Sequence, residues 1–323
     1  MNDHATLIDT RVQSLAERLE ETGRTLTEYA EANELELVFD DAGHPISTAD
    51  RARAHREILT EQLAPIEDAF DDYDVPFVVI KDPYLPKPIS DIDVLIDDPD
   101  GAHAALSGVG FELEDDTEPH RETYVKTVDG ARVAIDLHLA LSWRRVPYLS
   151  TREILDDRHR RSIAGQSVPC PSLEHHLAIT AAHSVFKHNA LSMFEVLETT
   201  YLLEEFDPDE EQLHAIARKY NWQPQLAYFL GRVAKTDALI QHGWHGTDLT
   251  IETFPEYYPL SRVGWVRGRK VAADLASGEF RRGGVSAIAY TIDVTQHVVE
   301  QRAGVSMKPV FDAISWGKRR IDD

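Results

Sequence analysis

The stretch Ser90-Asp-Ile-Asp-Val-Leu-Ile-Asp97 places two carboxylates, Asp91 and Asp93, one residue apart in an apolar run with the composition of a strand. Successive side chains of a strand point to opposite faces of a sheet, so Asp91 and Asp93 share one face and the apolar residues share the other. Charges on so hydrophobic a strand are costly unless a cation compensates them, and hard divalent cations prefer oxygen ligands. The pattern therefore indicates a metal site, with a solvated strand end as the alternative interpretation.

A β-hairpin is predicted further along the chain. The dipeptide Asp129-Gly130 separates two strand-like runs, residues 122–128 and 131–139, and Asp-Gly between such runs is a strong hairpin signal. In the second run apolar residues alternate with polar ones, so Asp136 and His138 share the polar face. If this strand lies beside the first, three carboxylates converge on one sheet face, an arrangement typical of two-metal phosphoryl-transfer sites. His138 could orient a phosphate or carboxylate there, or it could be a half-buried imidazole bonded to backbone.

The chain from Val78 to about Leu203 resembles the polymerase-β-type nucleotidyltransferase superfamily, and within it a family described as uncharacterised nucleotidyltransferases. That family has a strand, a glycine-containing turn, a proline-containing loop, the motif "sDIDlLv", a helix, "lGF", and a hairpin that ends in "dlHw". The order and spacing agree over roughly 125 residues. The matching segments here are Val78-Val-Ile-Lys-Asp82, Tyr84-Leu-Pro-Lys-Pro88, Ser90-Asp-Ile-Asp-Val-Leu-Ile96, Val109-Gly-Phe111 and Ile135-Asp-Leu-His138.

This resemblance implies an enzyme that moves a nucleoside monophosphate from an NTP to a hydroxyl of an acceptor. Asp91 and Asp93 would bind Mg²⁺ or Mn²⁺, and Asp136 would be the third metal-binding carboxylate and would help to activate the attacking hydroxyl. The resemblance and the apolar periodicity together predict an α+β fold. We expect a helical leader over residues 1–48, a small mixed-sheet nucleotidyltransferase core over 49–148 and an α-helical domain over 149–323.

The turn after the first strand departs from the family pattern. Superfamily members carry Gly-Ser or Gly-Gly there, so that bare backbone N–H groups approach the phosphates, whereas this chain has Lys81-Asp82-Pro83. Lys81 and Lys87 could replace those donors, and they stand out because the chain has only nine lysines against 24 arginines. Ordinary surface placement is the alternative for each. Ser90, at the start of the motif, joins them as a candidate nucleotide-binding residue.

The helical half offers further candidates for phosphate binding. His176, His183 and Lys187 fall near one face of a predicted helix and could present positive charge to a triphosphate, or they could form a polar stripe on a packed helix. A rival hypothesis, a metal phosphohydrolase built on His175, His176, His183 and His188, is weak because the chain has neither a His-Asp dyad nor an HExxH motif. A basic segment over residues 262–282 could dock an anionic acceptor, or it could be a solvated helical face.

Composition sets the remaining expectations. The chain has 323 residues, 42% hydrophobic content and a formal net charge of −23, so a nucleic-acid partner is disfavoured without being excluded. Its acidic, lysine-poor composition resembles that of proteins from salt-accumulating haloarchaea. In such proteins the negative net charge is an adaptation to high salt, so it does not indicate a function. No apolar run approaches the roughly 20 residues that span a bilayer and the first residues do not resemble a secretion signal, which predicts a cytoplasmic location without membrane contact.

Two functions from different classes remain open. The first is the two-metal nucleotidyltransferase, favoured by the three carboxylates. The second is a catalytically degenerate nucleotidyltransferase domain that serves as a binding or assembly module, favoured by Lys81-Asp82-Pro83 in place of the glycine turn. Acceptor, base preference and oligomeric state do not follow from these residues.

Overall fold

The computed structural model describes residues 4–22, 25–81, 84–118, 121–143, 146–188, 190–242, 256–257, 268–273 and 275–276. The first half of the chain contains, in order, α1 His4–Thr22, α2 Leu26–Asn33, α3 Glu36–Asp41, α4 Ala49–Glu61, α5 Leu63–Asp72, β1 Phe77–Val79, β2 Ile92–Ile96, α6 Pro99–Gly108, β3 Glu112–Glu118, β4 Arg121–Val128, β5 Ala131–His138, β6 Ser142–Trp143 and β7 Val146–Pro147. The second half contains α7 Thr151–Asp156, β8 His159–Ile163, β9 Gln166–Cys170, α8 Leu173–Ala182, a π-helical turn His183–His188, β10 Ala190–Leu191, α9 Met193–Phe206, α10 Glu210–Lys219, α11 Gln223–His242 and β11 Glu256–Tyr257.

The fold is α+β, as the sequence predicts. A five-stranded mixed sheet has the order β1-β2-β5-β4-β3, in which β2 and β5 are parallel and the other neighbours are antiparallel. The predicted hairpin is confirmed, because Asp129 (φ 49°) and Gly130 (φ 81°) both have the positive φ angles of a two-residue turn. Helices α8 to α11 follow the core.

Alternation along β2 assigns its two faces to two apolar cores. Val94 and Ile96 pack with helices α4, α5 and α6 on one side of the sheet. Leu95, with Val78 and Ile80 of the neighbouring β1 segment, packs instead with α1 to α3 and the helical half. Asp93 has the parity of Leu95, so it faces the helical half of the protein. The sheet therefore presents its carboxylates toward a second layer of helices.

Several predicted element boundaries are wrong. The sequence predicts two short helices over residues 5–37, and the structure has α1 and α2 there, with α3 beginning at the end of this range. The sequence also predicts one helix from Ser47 or Thr48 through about Phe70, which the structure divides at Gln62 into α4 and α5. Pro65 explains this division, since its ring would clash with the carbonyl of Glu61 in a continuous helix and it has no N–H to donate.

The structure also contains strand pairs that the sequence did not predict. Strand β3 is an acidic edge strand of low intrinsic β-propensity, and its pairing with β4 is what holds it extended. The hairpin β8–β9 interrupts a segment expected to be helical, and its turn residues Ala164 (φ 48°) and Gly165 (φ 84°) again have positive φ. The helices predicted over 263–277 and 284–302 lie outside the described residues, except that residues 268–273 and 275–276 are helical.

The domain limits proposed at residues 48 and 148 stay a prediction. Helices α1 to α3 share one apolar core with α8, α9 and α11, so the leader packs directly on the helical half. Among the described helices, none is both long and apolar enough to cross a membrane.

Candidate active site

Strands β2 and β5 bring two predicted carboxylates side by side. In this parallel pair Asp93 is the register partner of Asp136, and Leu95 is the partner of His138. On their other face both strands carry apolar side chains, and Val94, Ile135 and Leu137 are fully buried there. Burial of that face fixes the strand register, since a slip of one residue would turn the carboxylates into the apolar core.

Asp93 is held by two side chains. Its Oδ1 lies 2.5 Å from Lys81 Nζ and 2.5 Å from His138 Nε2, and the two nitrogen atoms are 3.4 Å apart. Burial alone would raise the pKa of Asp93, but the Lys81 ammonium and the hydrogen bond from His138 outweigh it, so the pKa lies well below its usual range. Burial and the charge of Lys81 lower the pKa of His138, and its Nε2 lies within hydrogen-bond distance of the carboxylate.

Asp136 is held from the next strand. Arg121 Nη1 donates to its Oδ2 at 2.7 Å, and Thr123 Oγ1 donates to its Oδ1 at 2.7 Å. Both donors lie on β4, where Thr123 is the register partner of Asp136 and Arg121 is the partner of His138. Each carboxylate oxygen has a further lone pair, so these bonds orient Asp136 without exhausting it as an acceptor.

Asp91 lies one residue before β2 and lines the same cavity as Asp93 and Asp136. Burial and the negative charges of Asp93 and Asp136 raise its pKa to about 6. A raised pKa of this kind is expected where several carboxylates converge without enough compensating positive charge.

The donor set fits a hard divalent cation. One ligand atom each from Asp93, Asp136 and His138 lie within 4.8 Å of one another, and the two carboxylates supply the oxygen ligands that Mg²⁺ and Mn²⁺ prefer. This cluster includes His138, whereas the sequence suggested Asp91 as the third ligand beside Asp93 and Asp136. The assignment of Asp91, Asp93 and Asp136 as metal ligands and catalytic residues stays a prediction.

A cavity of about 610 Å³ opens above the carboxylates, between the sheet and the helical half. Its lining includes residues from α2, the loop between β1 and β2, strands β2, β4 and β5, and helices α8 and α9. The lining includes most of the sequence-predicted site residues: Lys81, Lys87, Ser90, Asp91, Asp93, Asp136, His183 and Lys187. His138 is not part of the cavity lining, but it contacts Asp93, which is.

Lys87 forms an ion pair with an acidic neighbour. Its ammonium lies 2.7 Å from Glu34 Oε2 and 5.1 Å from the centre of the Phe194 ring. Burial would lower the pKa of Lys87, but the negative charge of Glu34 outweighs burial and raises it. Lys87 is therefore charged, and a phosphate would have to share it with Glu34.

The π-helical turn brings two histidines together at the cavity wall. Its hydrogen bonds join residues five apart, so the rings of His183 and His188 meet edge to face with centroids 4.3 Å apart. Burial and nearby positive charge lower the pKa of His183 well below its usual range. Its buried Nε2 has no hydrogen-bond partner among the described residues, which is a cost that a ligand in the cavity could remove.

The rival histidine metal site is not supported. His175 bonds Ser172 Oγ at 2.8 Å and Asp157 at 3.2 Å, and it does not line the cavity. Within the described parts of the chain, the only cluster close enough to share an ion is that of Asp93, Asp136 and His138. The basic segment 262–282 lies largely outside the described residues.

Sequence reasoning missed the donors Arg121 and Thr123, although the hairpin carried the signal. A two-residue turn at Asp129-Gly130 pairs Val128 with Ala131, and counting outward places Thr123 opposite Asp136.

A second missed cluster fixes the loop between β1 and β2. Glu198 of α9 accepts the Tyr84 backbone N–H at 2.7 Å, and the Tyr84 ring packs against His176 of α8. These contacts join segments more than 90 residues apart in the chain, and no local pattern indicates them.

Comparison with known proteins agrees with this geometry. Residues 47–236 match the profile of a family described as uncharacterised nucleotidyltransferase. The match spans more than half of the chain, so the protein belongs to this family, whose name denotes nucleotidyl transfer.

Among solved structures, the protein is similar to the solution structure of the antibiotic-resistance factor ANT(2'')-Ia. The two share 16% sequence identity and a TM-score of 0.33, over 57% of this chain and 99% of that one. A TM-score this low carries no argument about mechanism or substrate. A search of the curated proteins found no match.

Proposed function

We propose that the protein is a metal-dependent nucleotidyltransferase that moves a nucleoside monophosphate from an NTP to a hydroxyl of an acceptor. The observation that carries this proposal is the register pairing of Asp93 with Asp136 on the parallel strands β2 and β5. With Asp91 in the same cavity wall, three carboxylates meet on one sheet face. Such a cluster has no evident structural benefit, because like charges at close range destabilise the fold.

The residues of this cluster would hold Mg²⁺ or Mn²⁺. When bound, such ions stabilise the negative charge that develops on the phosphates and activate the attacking oxygen. Around them, Arg121 and Thr123 keep Asp136 oriented toward the cavity, where it would accept the proton of the acceptor hydroxyl. The helical half packs over this face of the sheet and, with the sheet, forms the walls of the cavity.

The cavity has the size and lining for a nucleotide. Its volume of about 610 Å³ falls within the range of roughly 300–1,000 Å³ typical of small-molecule sites. Lys81, Lys87, Ser90, His183 and Lys187 would contact the phosphates, since all of them line the cavity. The Nε2 of His183, which has no hydrogen-bond partner in the described part of the chain, supports a ligand at that wall.

A specific observation favours the second candidate, a degenerate module. Lys81 is paired with Asp93 and Arg121 with Asp136, so two of the three carboxylates are already neutralised by side chains. A domain that retained this sheet for folding or binding alone would have the same ion pairs. The two functions therefore differ in whether the cluster binds a divalent cation.

Asp93→Asn tests the proposal, because it keeps the side-chain volume and removes one negative charge from the cluster. We expect pyrophosphate release from at least one NTP with Mg²⁺ or Mn²⁺ in molar KCl, and a loss of that release by orders of magnitude in the variant. Mg²⁺ should raise the melting temperature of the wild type, and the variant should lose most of that rise.

The matched control is Asp97→Asn, at an exposed carboxylate just after β2, which should behave as wild type in both measurements. An absence of any Mg²⁺ or Mn²⁺ effect on wild-type melting, together with no pyrophosphate release from any NTP, would reject the enzyme and leave the degenerate module.

A further inference from the structure

Lys81 occupies an unusual position in the site. It follows β1 with a φ of +58°, a left-handed conformation that an L-residue with a Cβ adopts only at a cost. Its ammonium lies 2.5 Å from Asp93 Oδ1 and 3.4 Å from His138 Nε2. Lys81 therefore contacts two of the three residues of the candidate metal cluster.

The ammonium takes the electrostatic role that a metal ion would have at Asp93. Arg121, a second cation beside the cluster, is bound to Asp136. Lys81 is thus the cation that compensates the buried charge of Asp93, whose side chain is 14% exposed.

The same lysine borders the open cavity. Its side chain is 20% exposed and lines the cavity wall, so rotation about its χ angles can move the ammonium off Asp93 and toward a bound phosphate. A divalent ion at Asp93 would repel the ammonium, and a triphosphate would attract it. Both ligands therefore act on Lys81 in the same direction.

We propose that Lys81 is a resident countercharge of the metal site, which a divalent ion displaces from Asp93 and the triphosphate of the nucleotide then binds. This inference rests on the proposed function. Its thermodynamic consequence is positive coupling: nucleotide raises the affinity for the divalent ion, and the ion raises the affinity for nucleotide by the same factor. Lys81 acts here as a positioning and gating residue of the site.

The test measures Mn²⁺ binding directly, by the electron paramagnetic resonance signal of the free ion, with and without a non-hydrolysable NTP analogue. Lys81→Met keeps the stem and removes the charge, and should raise Mn²⁺ affinity about tenfold or more without nucleotide, because the competing cation is gone. In wild type the analogue should raise Mn²⁺ affinity, and in the variant this increase should shrink or vanish.

Lys81→Gly provides a second variant that lacks the ammonium and suits the positive φ, so it keeps the test valid if the methionine variant folds poorly. The matched control is Lys219→Met, at an exposed lysine paired with Glu153 outside the cavity, which should bind Mn²⁺ as wild type does. Circular dichroism checks that each variant is folded.

The possible outcomes distinguish the countercharge role from the proposed function. Mn²⁺ binding to wild type with unchanged or weaker binding to both Lys81 variants would overturn the countercharge role and leave the proposed function intact. Mn²⁺ binding only to the Lys81 variants would support the countercharge role and contradict catalysis by the wild-type chain. An absence of Mn²⁺ binding in wild type and both variants, with or without the analogue, would reject both.

Discussion

At the scale of single residues, burial and neighbouring charge decide what each titratable group can do. Glu195 of α9 lines the cavity, and partial burial raises its pKa to about 7, even though its Oε2 accepts the Ser192 backbone N–H at 2.7 Å. Lys87 opposes this rise and Glu34 adds to it. Glu195 therefore titrates near neutral pH in the folded protein, well above the pKa it has in an unfolded chain.

The raised pKa of Glu195 makes the folded state less stable as pH increases. Between the unfolded pKa and about pH 7, the folded state binds more protons at Glu195 than the unfolded state does, so the free energy of unfolding falls as pH rises through that window. We expect Glu195→Gln to flatten this part of the stability profile. Urea unfolding at several pH values measures it, and parallel profiles for the two proteins would contradict the assignment.

At the scale of elements, helix caps position the cavity wall. Helix α9 begins with a capping box, in which Ser192 Oγ accepts from the Glu195 backbone N–H and the Glu195 side chain accepts from the Ser192 N–H. Its first turns carry Phe194, Glu195 and Glu198, all of which line the cavity. The cap fixes the first residue of α9, and therefore the position of these side chains relative to the sheet.

Removal of this cap should weaken the fold measurably. Ser192→Ala should lower the free energy of unfolding by about 1 kcal/mol, because one backbone N–H at the start of α9 loses its acceptor. Ser107→Ala, at an exposed position near the end of α6, is the control and should change stability little. Equal stability of the two variants in denaturant unfolding would show that the cap is not important.

At the scale of the whole molecule, a buried ion pair joins the N-terminal helix to the helical half. Arg11 of α1 donates to Asp237 of α11 at 2.5 and 3.1 Å and to Glu204 of α9 at 2.8 Å. The Arg11 side chain is only 5% exposed and that of Asp237 only 11%. These contacts, with the shared apolar core, join α1 to helix residues 193 and 226 positions further along the chain.

We expect Arg11→Ala to lower the free energy of unfolding by about 3 kcal/mol or more, because it leaves the buried Asp237 carboxylate without its cationic partner. Arg18→Ala removes the exposed pair with Glu21 and should change stability by no more than about 0.5 kcal/mol. Chemical denaturation in high salt measures both. A similar, small effect of both substitutions would mean that the N-terminal helix contributes little to the fold.

The sequence by itself determined the features that depend on local periodicity and turn chemistry. Alternation around Asp93 predicted which face of β2 is polar, Asp129-Gly130 predicted the hairpin, and alternation along the second hairpin strand predicted that Asp136 and His138 share its polar face. These features follow from backbone geometry and from neighbours within a few residues, so a single chain segment contains all the information they need.

Only the tertiary structure decided which segments meet. The parallel pairing of β2 with β5 joins strands about 40 residues apart, and the contacts of Lys81 with Asp93 and of Lys87 with Glu34 depend on how helices and loops pack around that sheet. Such contacts form because the global fold buries charges that must then find partners. Their partners are distant in sequence, so no local pattern identifies them.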